Sequence, residues 1–184
     1  VTVNGASFWK DTVLWLTAGS EVHVTAQPNP GYAFAGWENY FADPRSPQQV
    51  FTIRSAWVLQ PRFVPAASFT VASSPPGLQV RVDGAPVRAP RTFQWEPGVE
   101  HAVAPVSPQQ DEEGRYWWFD SWSDGGDAEH AVYGRPVQDA QTVTALYVPA
   151  TVVTVLTEPF GLKVTIDGSD TWPSPNFIWG VGST

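Results

Sequence analysis

The sequence predicts an all-β fold: tandem small antiparallel β-sandwich modules, with partial repeats at both ends. Three observations carry this. A short phrase recurs as Val1-Thr-Val-Asn-Gly5, Val80-Arg-Val-Asp-Gly84 and Val164-Thr-Ile-Asp-Gly168. Each copy is followed about ten residues later by a tryptophan, Trp15, Trp95 or Trp179. Eighteen prolines and fifteen glycines, mostly at the ends of short apolar runs, interrupt the chain too often for long helices.

Each phrase reads as a strand running into a tight hairpin. Alternating apolar residues (Val1 and Val3, Val80 and Val82, Val164 and Ile166) place one face inward. The Asn-Gly or Asp-Gly that follows supplies the positive backbone torsions of a two-residue turn. The turn glycines repeat at about eighty residues, a spacing that fits a bead-like array of small domains. The expected division is residues 1–65 for a first module lacking its opening strand, 66–149 for a complete second module, and 150–184 for the first half of a third.

In the first module the expected strands are Thr12–Leu16, Glu21–Ala26, Tyr32–Trp37, Phe51–Ile53, Trp57–Leu59 and Arg62–Val64, with Glu38–Pro47 a loop. Tyr32 and Phe34 share a face but Trp37 falls out of their alternation, which predicts a bulge or strand end near Gly36. The second module opens with Ser68–Ala72, repeats the hairpin, carries an acidic loop over Gln109–Gly114, and places Phe119 and Trp122 where the first has Phe34 and Trp37. Thr142–Pro149 closes it as Val58–Pro65 closed the first. The third repeats the opening as Thr151–Leu156 and Leu162–Ile166. Half a module leaves apolar surface and strand edges open, so this piece is expected to lean on the second module or on another chain. Starting and stopping inside repeats, the chain is expected to be part of a longer protein.

The recurring aromatics Trp15, Phe34, Trp37, Trp95, Phe119, Trp122 and Trp179 are the predicted core, because a small module needs large side chains to bury enough apolar surface. The net charge of −8 disfavours a nucleic-acid or anionic-membrane partner. No apolar run is long enough to insert in a membrane. There is no cysteine and hence no disulfide framework.

The opening Ser74-Pro-Pro-Gly-Leu-Gln-Val-Arg-Val-Asp-Gly84, echoed by Glu158-Pro-Phe-Gly-Leu-Lys-Val-Thr-Ile-Asp-Gly168, resembles the PEGA-type module of bacterial surface and envelope proteins. The run Gly31-Tyr-Ala-Phe-Ala-Gly-Trp37, with a late strand ending Phe/Tyr-Val-Pro, is similar to divergent internalin-B-type repeats of large secreted bacterial proteins. The resemblance implies an extracellular or cell-surface location, a spacer, adhesive or binding role, and no catalytic residues.

The residues themselves offer little catalytic chemistry. His23, His101 and His130 stand at non-equivalent positions, and the phosphate-loop, nucleophile-elbow and His-Glu-x-x-His patterns are absent. The loop containing Asp120, Asp124, Asp127 and Glu129 has carboxylates spaced for calcium around Gly125-Gly126, and it also reads as an ordinary hairpin loop. No other cofactor is suggested. The less regularly placed indoles Trp9, Trp57, Trp117, Trp118 and Trp172 are candidate platforms for a glycan or a surface protein, since an exposed indole stacks on a sugar face; capping the core from a loop is the competing role. The expected function is therefore a non-enzymatic spacer, adhesion or self-assembly element whose partners are copies of itself or neighbouring repeats. Glycan or protein binding through loop tryptophans is the alternative.

Overall fold

The computed structural model describes residues 1–39, 41–135, 141–166, 168–172 and 176–182. Among the described residues the regular structure consists of strands: β1 (Thr2–Val3), β2 (Ala6–Ser7), β3 (Glu21–Thr25), β4 (Tyr32–Trp37), β5 (Gln48–Thr52), β6 (Pro61–Pro65), β7 (Ala67–Ser74), β8 (Gln79–Val82), β9 (Ala85–Arg88), β10 (Arg91–Trp95), β11 (Glu100–Pro105), β12 (Gln109–Gln110), β13 (Tyr116–Trp122), β14 (His130–Tyr133), β15 (Gln141–Val153), β16 (Val164–Ile166), β17 (Ser169–Thr171) and β18 (Phe177–Gly180). No helix among them is long and apolar enough to cross a membrane. The chain divides into two compact units. One comprises Val1–Phe69, Thr92–Val99 and Tyr133–Gln141; the other comprises Thr70–Arg91, Glu100–Val132 and Thr142–Thr184.

The first unit holds an antiparallel sheet in the order β2-β1-β3-β5 and a β4-β6 pair. Alternation along β3 buries Val22 and Val24 and leaves Glu21 and His23 outside. These valines join Val3, Ala26 and Trp37 in a core extended by Phe34, Phe41, Phe51 and Phe63. Strand β10 pairs with β7, where Trp95 stacks on Phe69 at 4.7 Å between ring centroids. Glu96 accepts an ion pair from Arg45 and stands 3.5 Å from the Arg62 guanidinium.

The second unit contains β11-β8-β9 with β14 on the outer side of β11, a β7-β15-β13-β12 order with β18 also on β15, and the β16-β17 hairpin. Its buried side chains include Val71, Leu78, Val80, Val82, Val103, Trp122, Val143, Ala145 and Tyr147. Strand β15 runs without a break from Gln141 to Val153, past the Val148-Pro149-Ala150 junction. Its far end, Ala150–Val153, pairs antiparallel with β18. Gly180 of β18 comes so close to Trp118 that an added Cβ would meet that side chain at 3.1 Å. Strand β18 thus pairs with the C-terminal continuation of β15.

The predicted turn torsions are present. Asn4 and Gly5 have φ of 46° and 83°, Asp83 and Gly84 of 50° and 76°, which is the two-residue hairpin that Asn-Gly and Asp-Gly favour. The residue pairs closing them, Val3↔Ala6 and Val82↔Ala85, match, as does Ile166↔Ser169. In the third phrase Gly168 has φ 75°, while Asp167 lies outside the described residues. Asn4 and Asp83 are each also tied to the strand alongside. Asn4 donates its backbone N–H to His23 O at 2.8 Å and accepts from His23 N on Oδ1 at 2.9 Å. Asp83 does the same with Ala102, at 2.9 Å and 2.9 Å.

The bulge expected near Gly36 is also present, and it recurs. The β4-β6 register shifts between Phe34 and Gly36; the β13-β15 register shifts between Phe119 and Ser121. An extra residue there turns the next side chain back toward the core. In both places the tryptophan after the bulge packs on the phenylalanine before it, at 5.8 Å for Phe34 and Trp37 and 5.7 Å for Phe119 and Trp122. Opposite them stand Phe63, 6.1 Å from Phe34, and Tyr147, 5.8 Å from Phe119. Both indoles donate to a loop carbonyl, Trp37 to Ser46 O at 3.1 Å and Trp122 to Ala128 O at 2.9 Å. One motif is built twice with different loops attached.

Two expectations are corrected. Residues 12–16 form no strand, and Trp15, placed in the core by its repeat position, is 95% exposed. Its counterparts Trp95 and Trp179 lie on β10 and β18, each paired to a strand; no strand among the described residues pairs with the Trp15 segment, so nothing turns that indole inward. Residues 57–59 likewise form no strand. Trp57 instead stacks on Phe51 at 4.6 Å, with Phe41 at 5.6 Å, capping the first unit's aromatic cluster from a loop.

Candidate functional site

The acidic loop before β13 builds the most organised surface among the candidates. Asp111 is its hub. Its Oδ1 accepts the backbone N–H groups of Glu113 at 3.0 Å and Arg115 at 2.9 Å, closing the turn at Gly114. Its Oδ2 accepts from the Trp117 indole at 2.9 Å and from Arg115 Nε at 2.8 Å. Arg115 also pairs with Glu113, and its guanidinium carbon lies 6.0 Å from the Trp117 ring centroid. Desolvation alone would raise the Asp111 carboxyl, but the bonds from Trp117 and Arg115 outweigh it and hold the group down at about 2.

Gly114, Arg115, Tyr116 and Trp117, together with Pro149, Ala150, Thr151 and Val152 of the neighbouring strand β15, line an open groove of about 540 Å³. It offers a half-buried indole whose N–H is already committed, a guanidinium and a threonine hydroxyl, which is the chemistry of binding by stacking and hydrogen bonding. The shifted groups in this unit are poorly matched to proton transfer near neutrality. Asp111 sits at about 2, burial pushes Tyr147 up to about 12, and the Arg88 hydrogen bond lowers Glu112 further.

The other candidate indoles are arranged differently. Trp118, next to Trp117 and on the opposite face of β13, is half-buried against Gly180. Trp172 is exposed, with the Lys163 ammonium 5.6 Å from its ring centroid. Trp9 is exposed in the loop after β2. Trp57 edges a smaller groove of about 330 Å³ with Glu38, Asn39, Ala56 and Val58. The Asn39 side chain there is spent on the backbone, accepting from Gln60 N at 2.9 Å and donating to Val58 O.

In the loop after β13 the acidic residues do not converge. Asp124 Oδ1 accepts from Gly126 N at 3.2 Å, and its Oδ2 faces His130 Nε2 at 3.1 Å. The other His130 ring nitrogen is 2.8 Å from Asp127 O, and the ring stands edge-on to Trp122 at 5.5 Å. Asp120 takes the Ser121 hydroxyl, and Glu129 is exposed. Among the described residues no group of three or more His, Asp or Glu side chains is placed to hold a metal ion. A histidine fills the middle of this loop.

Of the predicted core aromatics, Trp37, Trp95 and Trp122 are buried, while Phe34, Phe119 and Trp179 are half-buried. Sequence reading missed Asp111 and Arg115 as partners of Trp117, and Glu96 as the acceptor for Arg45 and Arg62. The Asp111 to Arg115 spacing is the one signal that was available, and outside a helix it carries little weight.

A family model described as the divergent InlB B-repeat domain matches residues 14–67. That stretch runs from the Trp15 segment through the bulged β4 to the junction before β7, and it makes this part of the chain similar to a bacterial repeat family. No curated protein and no solved structure matches the chain.

Proposed function

We propose that this chain is a non-catalytic stretch of tandem modules, 1–65, 66–149 and 150–184, serving as a spacer, adhesion or self-assembly element of a secreted or cell-surface bacterial protein. The observation carrying this reading is the recurrence of one hairpin, one bulge and one buried indole on successive copies whose loops differ. That is how a scaffold under selection for packing behaves, with the loops free to vary. The similarity of residues 14–67 to a bacterial repeat domain supports it, and the PEGA-like openings agree with it. A chain lengthened by one further copy of residues 66–149 is expected to gain a constant increment in maximum dimension by small-angle X-ray scattering. An added copy that collapses onto the others would refute the spacer role.

Glycan or protein binding is the second reading, favoured by the Trp117 groove, where an indole, a carboxylate and a guanidinium are held together. A glycan array probed with the chain, and with Trp117→Ala, Trp9→Ala and Trp172→Ala, separates the two. Binding lost on substitution supports recognition, and a silent array supports the spacer.

A further inference from the structure

We propose that the bulged strand of each copy is the surface on which the next copy seats, and that each such seat accepts only a partner of matched size and charge. The inference rests on the tandem-module reading. The two junctions can be laid side by side because β4 and β13 keep the same register with the strands beside them. Phe34 lies opposite Phe63 and Gly36 opposite Arg62; Phe119 lies opposite Tyr147 and Ser121 opposite Leu146. Ala33, Ala35 and Arg62 therefore correspond to Trp118, Asp120 and Leu146. On the incoming side Glu96 follows Trp95 as Gly180 follows Trp179. Each junction lies within one compact unit, the first in the unit that joins Val1–Phe69 with Thr92–Val99, the second in the unit that joins Glu100–Val132 with Thr142–Thr184.

At the first junction the seat is polar and the strand residue is small. Ala35 is the extra residue of the bulge and stands out of the ladder, so its carbonyl needs another partner. Two guanidiniums supply it, Arg45 Nη1 at 3.3 Å and Arg62 Nη2 at 3.1 Å. The same pair holds Glu96 of the next copy, through an ion pair with Arg45 and with Arg62 at 3.5 Å, and the Glu96 side chain is only 16% exposed. A carboxylate is the group that two converging guanidiniums select. Ala33 alternates with Phe34, away from the aromatic cluster, and is nevertheless buried.

The second junction reverses both properties. Trp118 stands in the place of Ala33, and Gly180 in the place of Glu96. A Cβ on Gly180 would lie 3.1 Å from both Cβ and Cγ of Trp118, so the indole fills the space that a side chain would need. Leu146 replaces Arg62, and residues 123–129 of the loop after β13 contain no arginine or lysine. A small strand residue with a long anionic partner at one seam becomes a broad indole with a glycine partner at the other. Exchanging the partners would press a carboxylate against an indole with neither arginine to pair it, and would leave the two arginines facing a glycine. The seams are keyed, and the order of the copies is written in these residues.

The test rebuilds each junction at the other's position in the full chain, with hydrogen–deuterium exchange as the readout. Gly180→Glu is expected to speed exchange across the β15–β18 pairing, at residues 151–153 and 177–180, at least about tenfold. Adding Trp118→Ala and Leu146→Arg to Gly180→Glu is expected to bring exchange back toward that of the parent. At the first junction Ala33→Trp is expected to speed exchange at residues 92–97, and adding Glu96→Gly to slow it again. Relief by a second, truncating substitution is the decisive result, because a variant that merely folds poorly is not cured by removing another side chain. Single substitutions without effect overturn the proposal, as do combined variants that exchange as fast as the single ones. The number of copies is unchanged throughout, so these outcomes are independent of the scattering increment that tests the spacer.

Discussion

Replacing Trp122 by alanine tests whether the bulged strand and its indole hold each copy together. Trp122 is 2% exposed, packs on Phe119 and His130, and donates to the Ala128 carbonyl. Truncating a buried tryptophan costs about 3–5 kcal/mol through lost transfer energy and the cavity left behind. The orphaned carbonyl lies within that range, about 1 kcal/mol of it. Trp37→Ala, at the matching site and 5% exposed, is expected to cost about the same. Trp15→Ala, at a site 95% exposed, is expected to fall within about 0.5 kcal/mol of the parent. Urea unfolding followed by far-ultraviolet circular dichroism is the assay, because ten tryptophans make fluorescence hard to assign. With a slope of about 1–3 kcal/mol per molar urea, the buried-site variants should lose at least about 1 M in the midpoint of their unit's transition. Equal losses from Trp15→Ala and Trp122→Ala would refute the reasoning, since exposure and repeat position make opposite predictions for that pair.

Three further perturbations follow from the geometry. Asp83→Ala removes the acceptor for Ala102 N and puts a side chain without turn chemistry at φ 50°, so a loss of about 1–3 kcal/mol in thermal unfolding is expected. Asp83→Asn should recover most of that loss, because Asn4 already accepts from the backbone in the first copy, and what remains lost reports the contact of Asp83 Oδ2 with His101 Nδ1 at 2.8 Å. Gly36→Ser is expected to destabilise by about 1–3 kcal/mol in urea, although serine stands at the matching position 121. Gly36 has φ 123° and its Cβ would sit 3.4 Å from Pro44 O, so a neutral result would remove the claim of strain. The Asp111 carboxyl is lowered in the folded chain to about 2 from an unfolded value of about 3.9. Its contribution is therefore fully present above about pH 4 and lost as pH falls through 2. The indole N–H resonance of Trp117 should move over that interval, and in Asp111→Asn the movement should vanish; a Trp117 signal flat down to pH 2 would contradict the assignment.

The local structure is legible in the residues themselves. Asn-Gly and Asp-Gly dictate the hairpins because few other dipeptides tolerate two successive positive torsions. Trp37 out of step with Tyr32 and Phe34 signalled the bulge, and β3 follows the alternation of Val22 and Val24. Trp15 shows the limit of that reading. Alternation tells which side chains favour burial but leaves unspecified which strand they pair with, and pairing is what separates Trp15 from Trp95. The Asp111 hub was hidden for a related reason: its partners are fixed by how the Gly114 turn closes, which depends on backbone geometry and has no sequence period. The carboxylates after β13 have a spacing that suits calcium as well as a hairpin loop, and spacing takes no account of His130, whose ring reaches back into the loop.

Strand β15 passes through the Pro149 junction without a break, and its side chains alternate with a period of two. A single residue inserted between Tyr147 and Ala150 would invert the face presented to β18 unless a bulge took it up. One continuous backbone therefore carries both the β13 pairing and the β18 pairing, and a change in the length of β15 would be felt on both neighbours.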